Sequence, residues 1–285
     1  MDADSRPLRI ALLIDADNAP ADLIDEILTE LSTLGVINVR RAYGNWTKHG
    51  LNGWQERLLE FAIRPMQQFD YSKRKNASDM AMTVDAMELL YTERPDAFGI
   101  VSSDADFTPL VMHLRAKGAA VYGFGMAQTP RPFVNACSRF LYLEALAEAR
   151  ADAQPDAQAD TAGVPIAAVA ALMDEPAAPR PESPAAPAPA PAPRRIRVPT
   201  AQLRQDTALM NLLRDAAIAM QDESGWAKVG AVGTQIGNKV SFDPRNYGYA
   251  TLSKLLAATG AFEFRDEGTS RVSVRDKRPA AAKPR

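Results

Sequence analysis

The residues that invite chemistry in this chain are aspartates. Asp15 and Asp17 stand in Ile14-Asp15-Ala16-Asp17-Asn18, directly behind the apolar run Leu8–Ile14. Asp104 and Asp106 stand in Ser102-Ser103-Asp104-Ala105-Asp106-Phe107, behind a second apolar run, Ala97–Val101. Asp79 follows Ser78 at the start of a third periodic stretch. Several carboxylates around one point are satisfied by a cation or by protonation. Hard ions such as Mg²⁺ or Mn²⁺ prefer oxygen ligands. They stabilise charge on the attacking and leaving oxygens of phosphodiester cleavage and lower the pKa of a bound water. Other chemistries find little support. The two histidines, His49 and His113, show no zinc spacing and no Ser-His-Asp pattern, and no Gly-rich phosphate loop carries a P-loop lysine.

Each aspartate also has a structural reading. Asp106 is equally placed to cap the helix that follows, whose first turn holds Pro109. Asp79 suits the positive end of its helix dipole behind a Ser78 cap. Asp85 falls about 120° around that helix from Asp79, which predicts a solvated or secondary place. Asn18 either positions a phosphate or caps the helix from Ala21. Asp15 and Asp104 resist a structural explanation, because each directly ends an apolar strand.

The elements that must position these groups alternate. Leu8–Ile14, Ile37–Tyr43, Ile63–Phe69, Ala97–Val101 and Ala119–Gly123 read as strands. Between them, Ala21–Leu34 (ending at Gly35), Trp54–Ala62, Ser78–Tyr91 and Phe107–Lys117 read as helices. In Ser78–Tyr91 the inward stripe is read as Met80, Val84, Met87 and Tyr91. Repeated strand–helix units predict an α/β fold with a doubly wound, mainly parallel sheet. In such a sheet ligands bind beyond the carboxyl ends of the strands, and three strand–helix junctions bring Asp15, Asp79 and Asp104 to that edge.

Two loops beside that edge have the composition of a polyanion contact. In Tyr43–Trp54, Trp46 offers a stacking face and Lys48 a phosphate partner; the alternative is that Trp46 braces the loop, and Trp54 reads as core. In Tyr71–Asn76, Lys73, Arg74 and Lys75 offset the repulsion between an acidic site and a polyanion. Cys137, the chain's one cysteine, reads as a small buried hydrophobe and excludes an intrachain disulfide, which fits a reducing, cytoplasmic setting. The run Ile10–Ile14 is too short for a membrane span.

Charge divides the chain: net −4 over residues 1–150, −5 over 151–193 and +7 over 194–285. The middle holds ten of the 21 prolines, a composition that buries too little apolar surface to order itself. Its one apolar decamer, Val164–Met173, is either a loose Ala-rich patch or a helix that docks on a protein partner. Beyond it, helices over Gln205–Gln221, Ala227–Gln235 and Tyr249–Thr259 precede a hairpin, Phe262–Arg265 with Arg271–Arg275. That order describes a winged-helix module, for which Lys239, Arg245 and Lys254 are candidate phosphate contacts and Tyr247 or Tyr249 a stacking surface.

The motifs Ile14-Asp15-Ala16-Asp17-Asn18-Ala19-Pro20, Ser78-Asp79-Met80 and Ser102–Leu110, continued by Gly118–Gly125, Thr129-Pro130 and Phe133–Phe140, resemble the NYN (LabA-like) family. The resemblance implies a PIN-like fold with an acidic metal site and a ribonuclease role. By position it makes Asp15, Asp79 and Asp104 metal-site carboxylates, with Asp106 a fourth and Asn18 and Ser102 as supports. Phe242-Asp243-Pro244-Arg245-Asn246-Tyr247-Gly248-Tyr249, then Leu252–Leu256, Phe262 and Phe264, resemble the OST-HTH/LOTUS family, which implies a winged-helix-like RNA-binding module. The expected organisation is an NYN domain over 1–150, a disordered linker over 151–198, the OST-HTH/LOTUS domain over 199–277 and a basic tail over 278–285. The expected function is RNA hydrolysis dependent on Mg²⁺ or Mn²⁺; the rival is a non-catalytic RNA-binding adaptor that recruits partners.

Overall fold

The computed structural model describes residues 6–69, 77–153, 197–269 and 271–278. Lys73, Arg74, Lys75 and the decamer Val164–Met173 lie outside the described residues. The first unit is a six-stranded sheet in the order β3-β2-β1-β4-β5-β6, parallel throughout. Its strands are β1 (Leu8–Asp15), β2 (Gly35–Gly44), β3 (Arg64–Gln67), β4 (Ala97–Val101), β5 (Ala120–Gly125) and β6 (Arg139–Tyr142). Its helices are α1 (Ile24–Ser32), α2 (Trp54–Glu60), α3 (Ala77–Thr92), α4 (Thr108–Ala116), α5 (Arg131–Ala136) and α6 (Leu143–Ala153).

Residues Ile10–Ile14 of β1 have no exposed surface, because helices cover both faces of the strand. Ala11 and Leu13 meet residues of α3, α4 and α5 on one face. Ile10, Leu12 and Ile14 meet α1, α2 and α6 on the other. The switch in strand order falls between β1 and β4, so the crevice beyond their carboxyl ends lies beside Asp15 and Asp104.

Four local expectations are corrected. The first helix ends at Ser32, and Gly35 instead begins β2, where a Cβ would lie 2.3 Å from the Leu8 carbonyl oxygen. β6 is a sixth strand that the sequence reading does not contain. The inward stripe of α3 is Ser78, Met82, Asp85, Ala86, Leu89 and Leu90, while Met80, Val84 and Tyr91 are 63%, 62% and 52% exposed. Asp85 is therefore buried, not solvated: it accepts hydrogen bonds from the Tyr43 hydroxyl and the Arg41 guanidinium on β2. A carboxylate on a core-facing stripe is tolerable when such partners neutralise and bond it.

The second unit contains α7 (Thr200–Gln205), α8 (Thr207–Ala219), β7 (Ala227–Lys228), α9 (Val229–Lys239), α10 (Leu252–Thr259), β8 (Phe262–Arg265) and β9 (Ser273–Asp276). β9 pairs antiparallel with both β7 and β8. A single core of Leu209, Leu213, Ile236, Leu255, Leu256 and Val274 joins the helices to this small sheet. Among the described residues no helix is long and apolar enough to cross a membrane.

Candidate active site

Asp15 is the last residue of β1 and is 1% exposed. Its Oδ2 accepts hydrogen bonds from Asn18 Nδ2 and Ser102 Oγ, each at 2.9 Å. Its Oδ1 is buried without a hydrogen-bond partner, a costly state for a carboxylate oxygen unless something else meets it. Burial pushes the Asp15 carboxyl above its usual range; the bonds from Asn18 and Ser102 pull the other way, and the charges of Asp17 and Asp104 add to the rise.

Ser102 links two of the aspartates. Its Oγ donates to Asp15 and accepts from the Asp104 backbone N–H at 3.1 Å. The close approach of β5 to this turn requires Gly125, where a Cβ would stand 2.6 Å from the Ser102 carbonyl oxygen. Asp104 caps the next turn, its Oδ1 accepting from the Asp106 N–H at 2.8 Å. Capping here is thus done by Asp104, and Asp106 is exposed with its side chain at the rim.

Asp79, in the first turn of α3, is half-buried. Its carboxyl is pushed up to about 6, chiefly by burial and then by the charges of Asp15, Asp104, Asp17 and Asp106. Four aspartates at or beyond the ends of β1 and β4 thus act on Asp79 at the start of α3. Asp17 joins them more closely than its sequence position suggests. Its Oδ2 accepts from Ser78 Oγ at 2.7 Å, and its Oδ1 lies 3.6 Å from Lys48 Nζ. Ser78, read from sequence as a helix cap, is therefore a tie across the site. The Asp-x-Asp spacing was the available signal for Asp17; nothing local announces the Ser78 contact.

Asp17, Ser78, Asp79 and Asp104 line a cleft of about 580 Å³ together with Asn18, Lys48 and Trp54, and the buried Asp15 is not part of its wall. Lys48 is carried by a loop that Gln67 of β3 fastens: Gln67 Oε1 accepts from the Trp46 N–H at 3.0 Å, and its Nε2 donates to Asn45 Oδ1 at 3.1 Å. Trp46 itself is half-buried against the core, while Trp54, 3% exposed, contributes to the cleft wall. An oxygen-only donor set, a buried unpaired carboxylate oxygen and crowded like charges suit a hard divalent cation. Among the described residues no group of three or more His, Cys, Asp or Glu side chains is placed to hold a metal ion. An ion held here would have to keep several water ligands.

The second unit's candidates are dispersed. Lys239 is exposed and 3.5 Å from Asp215, and Lys254 is exposed on α10. Tyr247 is half-buried with its ring 5.8 Å from that of Phe242. Arg245 does not join them: its guanidinium is held by Glu30 and Asp243.

Comparison with known families identifies an NYN domain over residues 9–144 and an OST-HTH/LOTUS domain over residues 204–274. The first is of the PIN-like nuclease group and the second of an RNA-binding class. An uncharacterised protein of Methanocaldococcus jannaschii is 34% identical over 122 residues, a match that covers 41% of this chain and 47% of the relative. The chain thus spans about half the length of that relative. Two solved structures are also similar. A protein of unknown function from Vibrio parahaemolyticus, at 18% identity and TM-score 0.40, covers 50% of this chain and 96% of its own. An uncharacterised protein from Nitrosomonas europaea, at 28% identity and TM-score 0.22, covers 36% and 96% respectively.

Proposed function

For a chain that carries an NYN domain and an OST-HTH/LOTUS domain, we propose a divalent-metal-dependent ribonuclease that hydrolyses RNA phosphodiesters at the Asp15–Asp79–Asp104 site. The observation that carries this reading is the buried, unpaired Asp15 Oδ1 among converging carboxylates. Asp15, Asp79 and Asp104 would hold Mg²⁺ or Mn²⁺, with Asp106 at the rim. When bound, the ion supplies Lewis acidity toward the phosphate and a more acidic water.

The chain's own groups do the positioning. Asn18 and Ser102 hold Asp15 Oδ2, which fixes the carboxylate and leaves its other oxygen, Oδ1, for the ion. Ser78 and Lys48 hold Asp17 at the mouth. Lys48 also brings positive charge to an otherwise acidic cleft, where the RNA backbone must approach, and Lys73, Arg74 and Lys75 extend that role in this reading. Trp46 braces the Lys48 loop. Lys239, Tyr247 and Lys254 serve RNA capture by the second domain, in a reducing, cytoplasmic setting.

The test is cleavage of labelled single-stranded RNA with Mn²⁺, Mg²⁺ or EDTA, with the wild type beside Asp104→Asn. Metal-dependent cleavage that falls by about a hundredfold or more in the variant is expected. Cleavage that survives Asp104→Asn removes this site assignment, and RNA binding without cleavage under any metal leaves the adaptor.

A further inference from the structure

The segment Asp243–Asn246, which holds the Arg245 that the sequence offers to RNA, is turned toward the first domain. We propose that Asp243, Arg245 and Asn246 form a latch that seats the C-terminal domain, in cis, on α1 and on the outer edge of β6. This inference is independent of the nuclease reading.

Two sets of contacts carry it. The first is a closed ring of alternating charge. Arg245 Nη1 and Nη2 donate to Glu30 Oε2 and Oε1 at 2.7 and 2.8 Å, a bidentate pair. Arg245 also donates to both Asp243 oxygens, at 3.1 and 3.0 Å. Arg139, the first residue of β6, donates to Asp243 Oδ2 through Nε at 2.8 Å and Nη2 at 2.6 Å, and lies 3.4 Å from Glu30. Bidentate charge-assisted bonds fix orientation as well as strength. The Asp243 side chain is 1% exposed, so removing its cations would leave a buried charge uncompensated.

The second set reads the backbone. Asn246 Oδ1 accepts from the Tyr142 N–H at 3.0 Å, and Asn246 Nδ2 donates to the Phe140 carbonyl at 3.0 Å. One carboxamide thereby offers β6, the last strand of the sheet, the donor and acceptor that a neighbouring strand's peptide would offer. Aspartate at this position could accept but not donate, so the pairing selects Asn.

The same geometry argues against Arg245 as a phosphate contact. Its Nε, Nη1 and Nη2 are already committed to two carboxylates, and those carboxylates repel a polyanion. The RNA-facing surface of the second domain is then elsewhere, with exposed Lys254 on α10. Covalent connection makes the docking intramolecular, at an effective concentration on the order of millimolar.

The test is hydrogen exchange on the full-length chain, read at the Tyr142 amide, with Arg245→Ala, Glu30→Ala and the double variant. Each single variant is expected to raise exchange there about tenfold or more, the equivalent of losing one charge-assisted bond. The double variant should add little, because both remove the same contact. The two substitutions lie in different domains, and unchanged exchange at Leu12 in β1 separates undocking from unfolding. RNA affinity should be the same for both single variants. Weaker RNA binding in Arg245→Ala alone, with Tyr142 still protected, would make Arg245 an RNA contact and overturn the latch. Protection of Tyr142 that vanishes on dilution would assign the contact to two copies of the chain and overturn docking in cis.

Discussion

Replacing Gly125 by Ala tests the geometry of the cleft without touching any charged group. The new methyl would stand 2.6 Å from the Ser102 carbonyl oxygen, 2.7 Å from Thr129 Oγ1 and 2.9 Å from Phe140 Cζ. Phe140 is fully buried, and the Ser102 carbonyl is backbone, so neither yields cheaply. Overpacking of this kind costs about 2–3 kcal/mol. For a domain of this size that lowers Tm by roughly 6–10 °C. The displaced strand end carries Ser102, whose hydroxyl bonds both Asp15 and the Asp104 backbone. A shift of a few tenths of an ångström therefore moves two carboxylates together, and RNA cleavage well below Tm should fall about tenfold or more. Gly118→Ala is the matched control. Its φ of +93° strains an L-residue while its Cβ would meet nothing within 4 Å, which costs about 1–2 kcal/mol far from the cleft. Thermal unfolding and initial cleavage rates, measured on both variants, separate stability from positioning. Equal losses of rate in the two, or an unchanged Tm in Gly125→Ala, would refute the reasoning.

Tyr43→Phe removes one of two donors from the buried Asp85 and should destabilise the first domain by about 1–3 kcal/mol in thermal or urea unfolding; no loss would mean that Arg41 alone satisfies the carboxylate. Domain docking should be lost in acid. Glu30 faces Arg245, Arg139 and Asp243, and the arginines hold both carboxyls below their usual range. A depressed folded-state pKa gives stability that is present above the ordinary carboxylate range and lost as pH falls through the lowered value. Tyr142 protection that persists to neutral pH and disappears below about pH 4 is therefore expected; loss near pH 6 would contradict the ring. Burial pushes the Cys137 thiol up to about 12, and its Sγ–H is directed to the Phe133 carbonyl. Reaction with a thiol reagent at pH 8 should be roughly a hundredfold slower in the native protein than in denaturant, and comparable rates would place Cys137 at an accessible surface.

Much of the sheet is legible because strands buried on both faces are written as unbroken apolar runs. Leu8–Asp15 and Ala97–Val101 are of that kind, and each ends on or just before a site residue. Helix α3 is harder. Its sequence holds two apolar stripes, Met80-Val84-Met87-Tyr91 and Met82-Ala86-Leu89-Leu90, and periodicity alone does not rank them. The second is the buried one, and the Asp85 that it carries inward is met by Arg41 and Tyr43, partners supplied by a strand more than forty positions earlier. β6 escapes notice because four residues beginning with an arginine form no run. The cleft shows a similar division. Strand-end aspartates are visible locally, whereas the Ser78–Asp17 tie and the commitment of Arg245 to Glu30 join positions 61 and 215 residues apart.

A parallel sheet has two ends, and in this molecule each is stopped differently. At one end β3 contains Pro65, which has no N–H to offer an incoming chain. At the other, the backbone groups of β6 are occupied by Asn246. The first block is covalent and permanent; the second is removable, because it belongs to a separate domain. Undocking would uncover a short pairing template on every copy of the protein, and such templates nucleate self-association. While the domains are docked, Asn246 fills the place that a further strand would take beside β6.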